Sequence, residues 1–172
     1  MPLIHPEENR AIELAVAALE NFTRLYQTHW LAEMRRKLGL FNEEEGDAAL
    51  VHRLLEWMHR TTADFTNTFA ALAQPAPDES FRQWQEIWQA RLARQPQSFE
   101  ESAALRRAHN PAFIPRNHLV EAALSAAQQG NTGPLKQLLE ILAAPYDHTR
   151  AAPEYRSPAP TGGADYKTFC GT

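Results

Sequence analysis

The side chains best suited to chemistry in this 172-residue chain fall in a few short stretches. His52, Glu56 and His59 recur at i, i+4 and i+7, so on a helix they share one face. Neutral imidazoles with a carboxylate are the ligand types that zinc or iron takes. Glu56-x-x-His59 is also half of the carboxylate-bridged di-metal pattern of helical bundles, but the chain has no second Glu-x-x-His. Leu50, Val51, Leu54, Trp57 and Met58 lie elsewhere on the same wheel. The His/Glu stripe is therefore expected to be a solvated face, with no metal and no cofactor bound.

The segment Asn110-Pro111-Ala112-Phe113-Ile114-Pro115-Arg116-Asn117-His118 concentrates unusual residue types. Each proline pushes the residue before it out of the α region, so the segment reads as a rigid extended entry into a helix. Free amides at that helix start could bind an anion together with Arg116. The favoured reading is structural: Asn117 and His118 cap the helix, and Phe113 and Ile114 pin the loop to the core. Another stretch, residues 58–67, imitates a kinase catalytic loop through His59-Arg60 and Asn67, and a metal-binding triplet through Asp64-Phe65. Thr61 stands where the catalytic Asp must be, and the two pieces overlap. Helical periodicity through Phe65 and Phe69 accounts for that stretch better. Trp84 and Trp88, one turn apart, are expected in the core rather than as a ligand platform. Arg35-Arg36-Lys37 and Arg106-Arg107 are expected on solvated faces rather than in anion sites.

The elements that must position these residues are helical almost throughout residues 6–144. Proline at the start and acids behind it, in His5-Pro6-Glu7-Glu8, open the first helix. Ile12, Val16, Leu19, Phe22, Leu25 and Tyr26 then recur at one-face spacing, continued by Trp30, Leu31, Met34 and Leu38. Gly39 is its expected stop, with Leu40 folding back behind it, and a kink near Thr28 is left open. Asn42 or Asp47 caps a second helix, and Thr62 a third carrying Phe65, Phe69 and Leu72. Asp78 opens a fourth through Phe81, Trp84, Trp88 and Leu92. Ser98 with Glu101 is a capping box for a fifth. Asn117 or a neighbour starts a sixth. Thr132 caps a seventh, with Leu135, Leu138, Leu139 and Leu142 facing inward. No strand alternation and no internal repeat is found. The expected fold is all-α: a compact bundle of about six or seven helices over residues 1–144, followed by an irregular Pro/Gly-rich tail over 145–172.

Composition narrows the function. Lys+Arg total 17 against 21 Asp+Glu, a formal net charge of −4, so no basic surplus favours nucleic acid. No apolar stretch approaches the roughly 20 residues that span a bilayer, and the polar, acidic start does not resemble a signal peptide. One cysteine excludes an internal disulfide framework, and seven glycines are too scattered for a phosphate cradle. A cytoplasmic setting with no membrane partner is expected.

The run Asn110-Pro-Ala-Phe-Ile-Pro-Arg-Asn-His-Leu-Val-Glu-Ala-Ala-Leu124 closely resembles a hallmark of the SelO (selenoprotein O) family. Met34-Arg-Arg-Lys-Leu-Gly-Leu40, Ala63-Asp-Phe-Thr-Asn-Thr-Phe69, Pro145-Tyr-Asp147 and Tyr166-Lys-Thr-Phe-Cys-Gly-Thr172 agree in order and character. The resemblance implies a protein-kinase-like parent that binds ATP in an inverted orientation and uses a divalent metal such as Mg. Such a parent transfers AMP to hydroxyl side chains of protein substrates. Family members are much longer. Their Gly-rich loop, nucleotide-binding Lys and Arg, metal-binding Asp and Asn, and general base lie upstream of the matched region.

The chain therefore looks like the C-terminal helical region of such a protein, with the N-terminal kinase-like lobe as its missing partner. No catalytic residue carries over, and ATP and Mg are implied only for the full-length family. Asn110, Pro111, Ile114, Pro115, Arg116, Asn117, His118 and Glu121 are motif residues for which structural roles are expected. Cys170 sits where the family keeps a cysteine or selenocysteine linked to redox control through an upstream cysteine, so it is the redox candidate. The alternative is a free-standing helical protein-interaction module without catalytic activity.

Overall fold

A computed structural model of the chain describes residues 3–159. Seven α-helices and no strand occur among the described residues: α1 (Glu8–Leu38), α2 (Asp47–Thr61), α3 (Phe65–Ala70), α4 (Glu79–Leu92), α5 (Phe99–His109), α6 (Asn117–Gln128) and α7 (Gly133–Leu142). A short 3₁₀ turn, Pro153–Tyr155, follows. The all-α architecture matches the periodicity of the sequence, and no helix among the described residues is long and apolar enough to cross a membrane.

Helix α1 runs 31 residues without a break. Near Thr28, where a kink was left open, the hydroxyl instead donates to the Arg24 carbonyl one turn back. The helix stops at Gly39, whose φ of 78° is the left-handed conformation that glycine adopts without steric cost. Its N–H bonds to the Arg36 carbonyl and that of Leu40 to Arg35, which turns Leu40 into the core. A Cβ on Gly39 would also lie 2.7 Å from the Ser102 carbonyl of α5. Only glycine allows α1 and α5 to approach this closely.

Two expected caps move. Gly46, at φ 98°, precedes α2, and Asp47 forms the first helical residue without capping the helix through its side chain. Thr62 ends α2 in a left-handed conformation (φ 54°) instead of starting α3. That start falls to Asp64, whose carboxylate accepts from the Asn67 N–H at 2.8 Å. Asp78 caps α4 through the Phe81 N–H, and Ser98 with Glu101 forms the complete capping box of α5. Each satisfies donors that a helix start leaves bare.

The main core joins the end of α1 to α2, α3 and α4 through Met34, Leu38, Leu50, Val51, Leu54, Trp57, Phe69, Phe81, Trp84 and Trp88. Trp84 and Trp88 stack with centroids 5.8 Å apart, and their indole N–H groups donate to the Leu50 and Leu38 carbonyls, both at 2.9 Å. This is how a buried indole avoids an unsatisfied donor. A smaller core gathers Ala112, Phe113, Ile141 and Ala152, with Leu142 and Tyr155 against it. On α7, Leu138 is buried, whereas Leu139, expected inward, is exposed: Ile141 takes the inward place.

The basic clusters also depart from expectation. Arg35 is largely buried, and it shares the fully buried Asp47 with Arg91 of α4. Arg106 is buried too, its guanidinium 4.8 Å from the centre of the Trp88 ring. Lys37 lies half-buried with its ammonium 5.3 Å from the Phe69 ring centre. These side chains anchor helix ends, and solvated-face behaviour is left to Arg36 and Arg107. The first six residues of the apolar stripe of α1 also break the expectation of a core-facing helix. Ile12, Val16, Leu19, Phe22, Leu25 and Tyr26 are all exposed.

Candidate functional site

Three of the motif segments meet in one junction. The Pro111 and Pro115 segment leaves α5 extended, with Asn110 at φ −123° and ψ 103°, and joins the end of α1 through Asn110 to the start of α3 through Arg116. Asn110 is buried, and its Nδ2 donates to the Lys37 carbonyl at 2.8 Å. Lys37 Nζ returns bonds to the His109 carbonyl at 2.9 Å and to Asn110 Oδ1 at 3.3 Å. The last turn of α1 and the end of α5 are thereby locked together. Burial holds the Lys37 ammonium below its usual pKa, and nearby Glu33 opposes that shift.

Six residues on, Arg116 is buried against α3. Its Nη1 and Nη2 donate to the two Asp64 oxygens at 2.8 and 3.1 Å, and Nη2 also reaches Asn67 Oδ1 at 3.3 Å. A two-pronged guanidinium–carboxylate pair fixes orientation as well as distance. Burial alone would raise the Asp64 pKa. The bonds from Arg116 and from the Asn67 N–H outweigh it and hold the carboxyl below its usual range. Asn67 closes the ring by donating from Nδ2 to the Arg156 carbonyl at 3.0 Å.

The described part of the tail, 145–159, is irregular but fastened. The Pro145 carbonyl accepts from the Ala112 and Phe113 N–H groups at 2.7 and 3.1 Å. His148 Nε2 lies 2.9 Å from the Asn110 carbonyl, and the Arg156 guanidinium stacks 4.7 Å from the centre of the Phe113 ring. A cleft of about 210 Å³ opens beside the junction, lined in part by Phe69, Arg106, Asn110 and His148.

The sequence-singled residues divide clearly. Asn110, Phe113 and Arg116 are buried parts of the junction, and Ile114 is partly buried. Neither Asn117 nor His118 caps α6: the residue before that helix is Arg116, whose side chain turns away to Asp64. Because Asp64 meets the Arg116 charge, Arg116 is not a free anion-binding group. Glu121 lies on an exposed part of α6. His52, Glu56 and His59 are exposed along α2, and His52 stacks on Trp30 with centroids 5.5 Å apart. No group of three His, Cys, Asp or Glu among the described residues could hold a metal ion. Cys170 and the segment Tyr166–Thr172 lie outside the described residues.

Sequence reasoning missed the Asp64–Arg116 pair and the Arg35–Asp47–Arg91 cluster. The partners stand 52, 12 and 44 residues apart, with no local spacing to mark them. The clue for Asp64 was its place three residues before Asn67, a cap spacing that Thr62 concealed.

ATP with its metal does not fit the described part of this chain. Asp47 and Asp64 are committed to arginines. The glycines at positive φ, Gly39, Gly46 and Gly130, stand singly at helix ends and form no loop that could wrap phosphates.

The junction is built from segments that mark one family, and comparison with known proteins agrees. The family described as Protein adenylyltransferase SelO matches residues 9–143. The chain belongs to the SelO family. Protein nucleotidyltransferase YdiU of Alkaliphilus metalliredigens is 44% identical over 180 residues, covering 100% of this chain and 37% of that protein. The proteins of the same name from Syntrophotalea carbinolica and Brevibacillus brevis are 46% and 43% identical with the same coverage. The chain thus spans little more than a third of the length of these relatives.

Proposed function

We propose that this chain is the C-terminal, non-catalytic helical part of a SelO-like protein adenylyltransferase, bracing a kinase-like lobe that it does not contain. The observation that carries the reading is the coverage: the relatives match the whole chain, and the match takes up 37% of their length. The junction supports it, because the charged motif residues are spent on holding helices together. Asp64 and Arg116 neutralise one another, and Asn110 and Lys37 satisfy backbone groups. In this reading ATP, Mg and the protein substrates belong to the longer protein, where AMP passes to a hydroxyl side chain. Cys170 serves there as a redox partner of an upstream cysteine. A cytoplasmic setting is part of the same proposal and rests on the composition, with one cysteine in 172 residues.

Titration calorimetry of the 172-residue chain with ATP and Mg tests the reading. No binding is expected, and micromolar affinity would overturn it.

A further inference from the structure

Residues 12–29 of α1 project from the fold with their apolar side chains in water. Leu19 is 70% and Phe22 64% exposed, and Ile12, Val16, Leu25 and Tyr26 are exposed beside them. Among the described residues, the hydrogen bonds, ion pairs and ring contacts of residues 10–29 stay inside the helix: Arg10 with Glu13, Asn21 with Arg24, Thr28 with Arg24, and Phe22 with Tyr26. Short helices in water draw most of their stability from packing an apolar face. A stretch this long and this apolar calls for a partner.

Spacing shows what kind of partner. Ile12, Val16, Leu19, Thr23 and Tyr26 alternate steps of four and three, and the next step reaches Trp30 and the core. Ala15, Ala18, Phe22 and Leu25 repeat that rhythm one line over, with Leu14 beside them. At about 100° per residue the two lines cover about 200° of the circumference. Glu13, Glu20, Asn21, Arg24, Gln27 and Thr28, with Ala17 among them, occupy what remains. A single helix packs against one such line. A second copy of α1 paired side by side would therefore cover one line and leave Phe22 and Leu25, or Ile12 and Leu19, in water. A helix apolar over so wide an arc is an interior helix with neighbours on two sides.

We propose that residues 12–29 of α1 are the seat of the remaining polypeptide of the longer family protein, which covers both lines at once. This rests on the reading of the chain as part of such a protein. The family match begins at residue 9 and runs through the bare stretch, so the helix belongs to the shared fold. Well over half of each relative lies outside the match and is available to cover it.

Hydrogen exchange read by mass spectrometry tests the seat. The 172-residue chain alone is compared with the intact Alkaliphilus relative, over the helix that aligns with α1. In the intact relative the amides matching 15–27 are expected to exchange at least 100-fold more slowly than in this chain. Equal rates would overturn the proposal. Light scattering of the chain guards against the other occupant. A dimer whose α1 amides are already protected, and which Leu19→Glu with Phe22→Glu dissociates, would assign the stripe to a second copy and overturn it.

Glutamates at the positions matching Leu19 and Phe22 should lower the melting temperature of the intact relative by more than 5 °C and leave this chain within about 1 °C. Similar shifts in both proteins would also count against the seat. AMP transfer by the intact relative, followed with labelled ATP, separates the two readings. Protection without AMP transfer leaves the seat standing and removes the activity. AMP transfer without protection removes the seat alone.

Discussion

The two parts of α1 share one apolar rhythm and have opposite fates. From Trp30 to Leu38 the helix meets α2, α4 and α5: Met34 and Leu38 enter the main core, Arg35 binds Asp47, and Lys37 binds the end of α5. From Ile12 to His29 the same pattern faces solvent. Periodicity reports that a helix has a face to bury. It carries no information about whether the covering element lies in the same stretch of sequence.

That contrast can be tested by substitution, beginning where the helix is most firmly held. Asp47→Ala strips the carboxylate from two arginines, one of them fully buried, and removes the acceptor of the Glu44 N–H. Breaking a buried pair by deleting one partner costs about 3–5 kcal/mol, so urea unfolding should show a loss in that range. Leu38→Ala, at a fully buried site, should cost about 2–5 kcal/mol by cavity formation, measured the same way. A loss below 1 kcal/mol at either site would mean that the end of α1 is not anchored as described.

The junction sits between these extremes. Asp64→Ala leaves Arg116 without its carboxylate and frees the start of α3, and a loss of about 1–3 kcal/mol is expected in urea unfolding. Acid should probe the same groups. For Asp47, burial raises the pKa, but bonds from Arg91, the Glu44 N–H and Arg35 more than reverse this and hold it below the usual value. The Asp64 pKa is lowered as well. A carboxylate whose folded pKa is depressed stabilises fully above its unfolded pKa of about 3.9 and loses that contribution as pH falls through the folded value. The melting temperature should therefore hold from pH 7 to about pH 5 and fall below about pH 4. In Asp64→Asn the fall should be shallower, and a slope unchanged by that substitution would contradict the assignment.

What could be read from the sequence was local. The Gly39 stop, the Asp78 cap, the Ser98–Glu101 box and the buried tryptophan pair each depend on residues within a turn or two, where spacing is enough. What could not be read was non-local. Asp47 looks like a cap because it begins a helix, and only Arg91, 44 residues later, makes it a buried ion. For Arg116 the sequence leaves anion binding open beside the favoured structural reading, and only Asp64, 52 residues earlier, closes that alternative. Thr62 looks like a cap until the chain turns left-handed there and passes the role to Asp64. The motif segments could be recognised one by one, but their convergence on Asn110, Lys37, Asn67 and Arg116 emerges only in three dimensions.

The smallest expected effect lies at the free end of α1 and completes the contrast. Leu19→Ala removes an exposed side chain and replaces it with the best helix former, so unfolding free energy should change by no more than about 0.5 kcal/mol. Leu38→Ala makes the same chemical change five turns further along one helix. If Leu19→Ala instead cost as much as Leu38→Ala, the N-terminal part of α1 would be packed within this chain and would need no partner. A near-zero effect, with fast amide exchange over residues 15–27 and slow exchange over 34–38, would show that one continuous helix holds two regions of different stability. Their boundary, at Trp30, is then the edge of what this stretch of sequence can fold by itself.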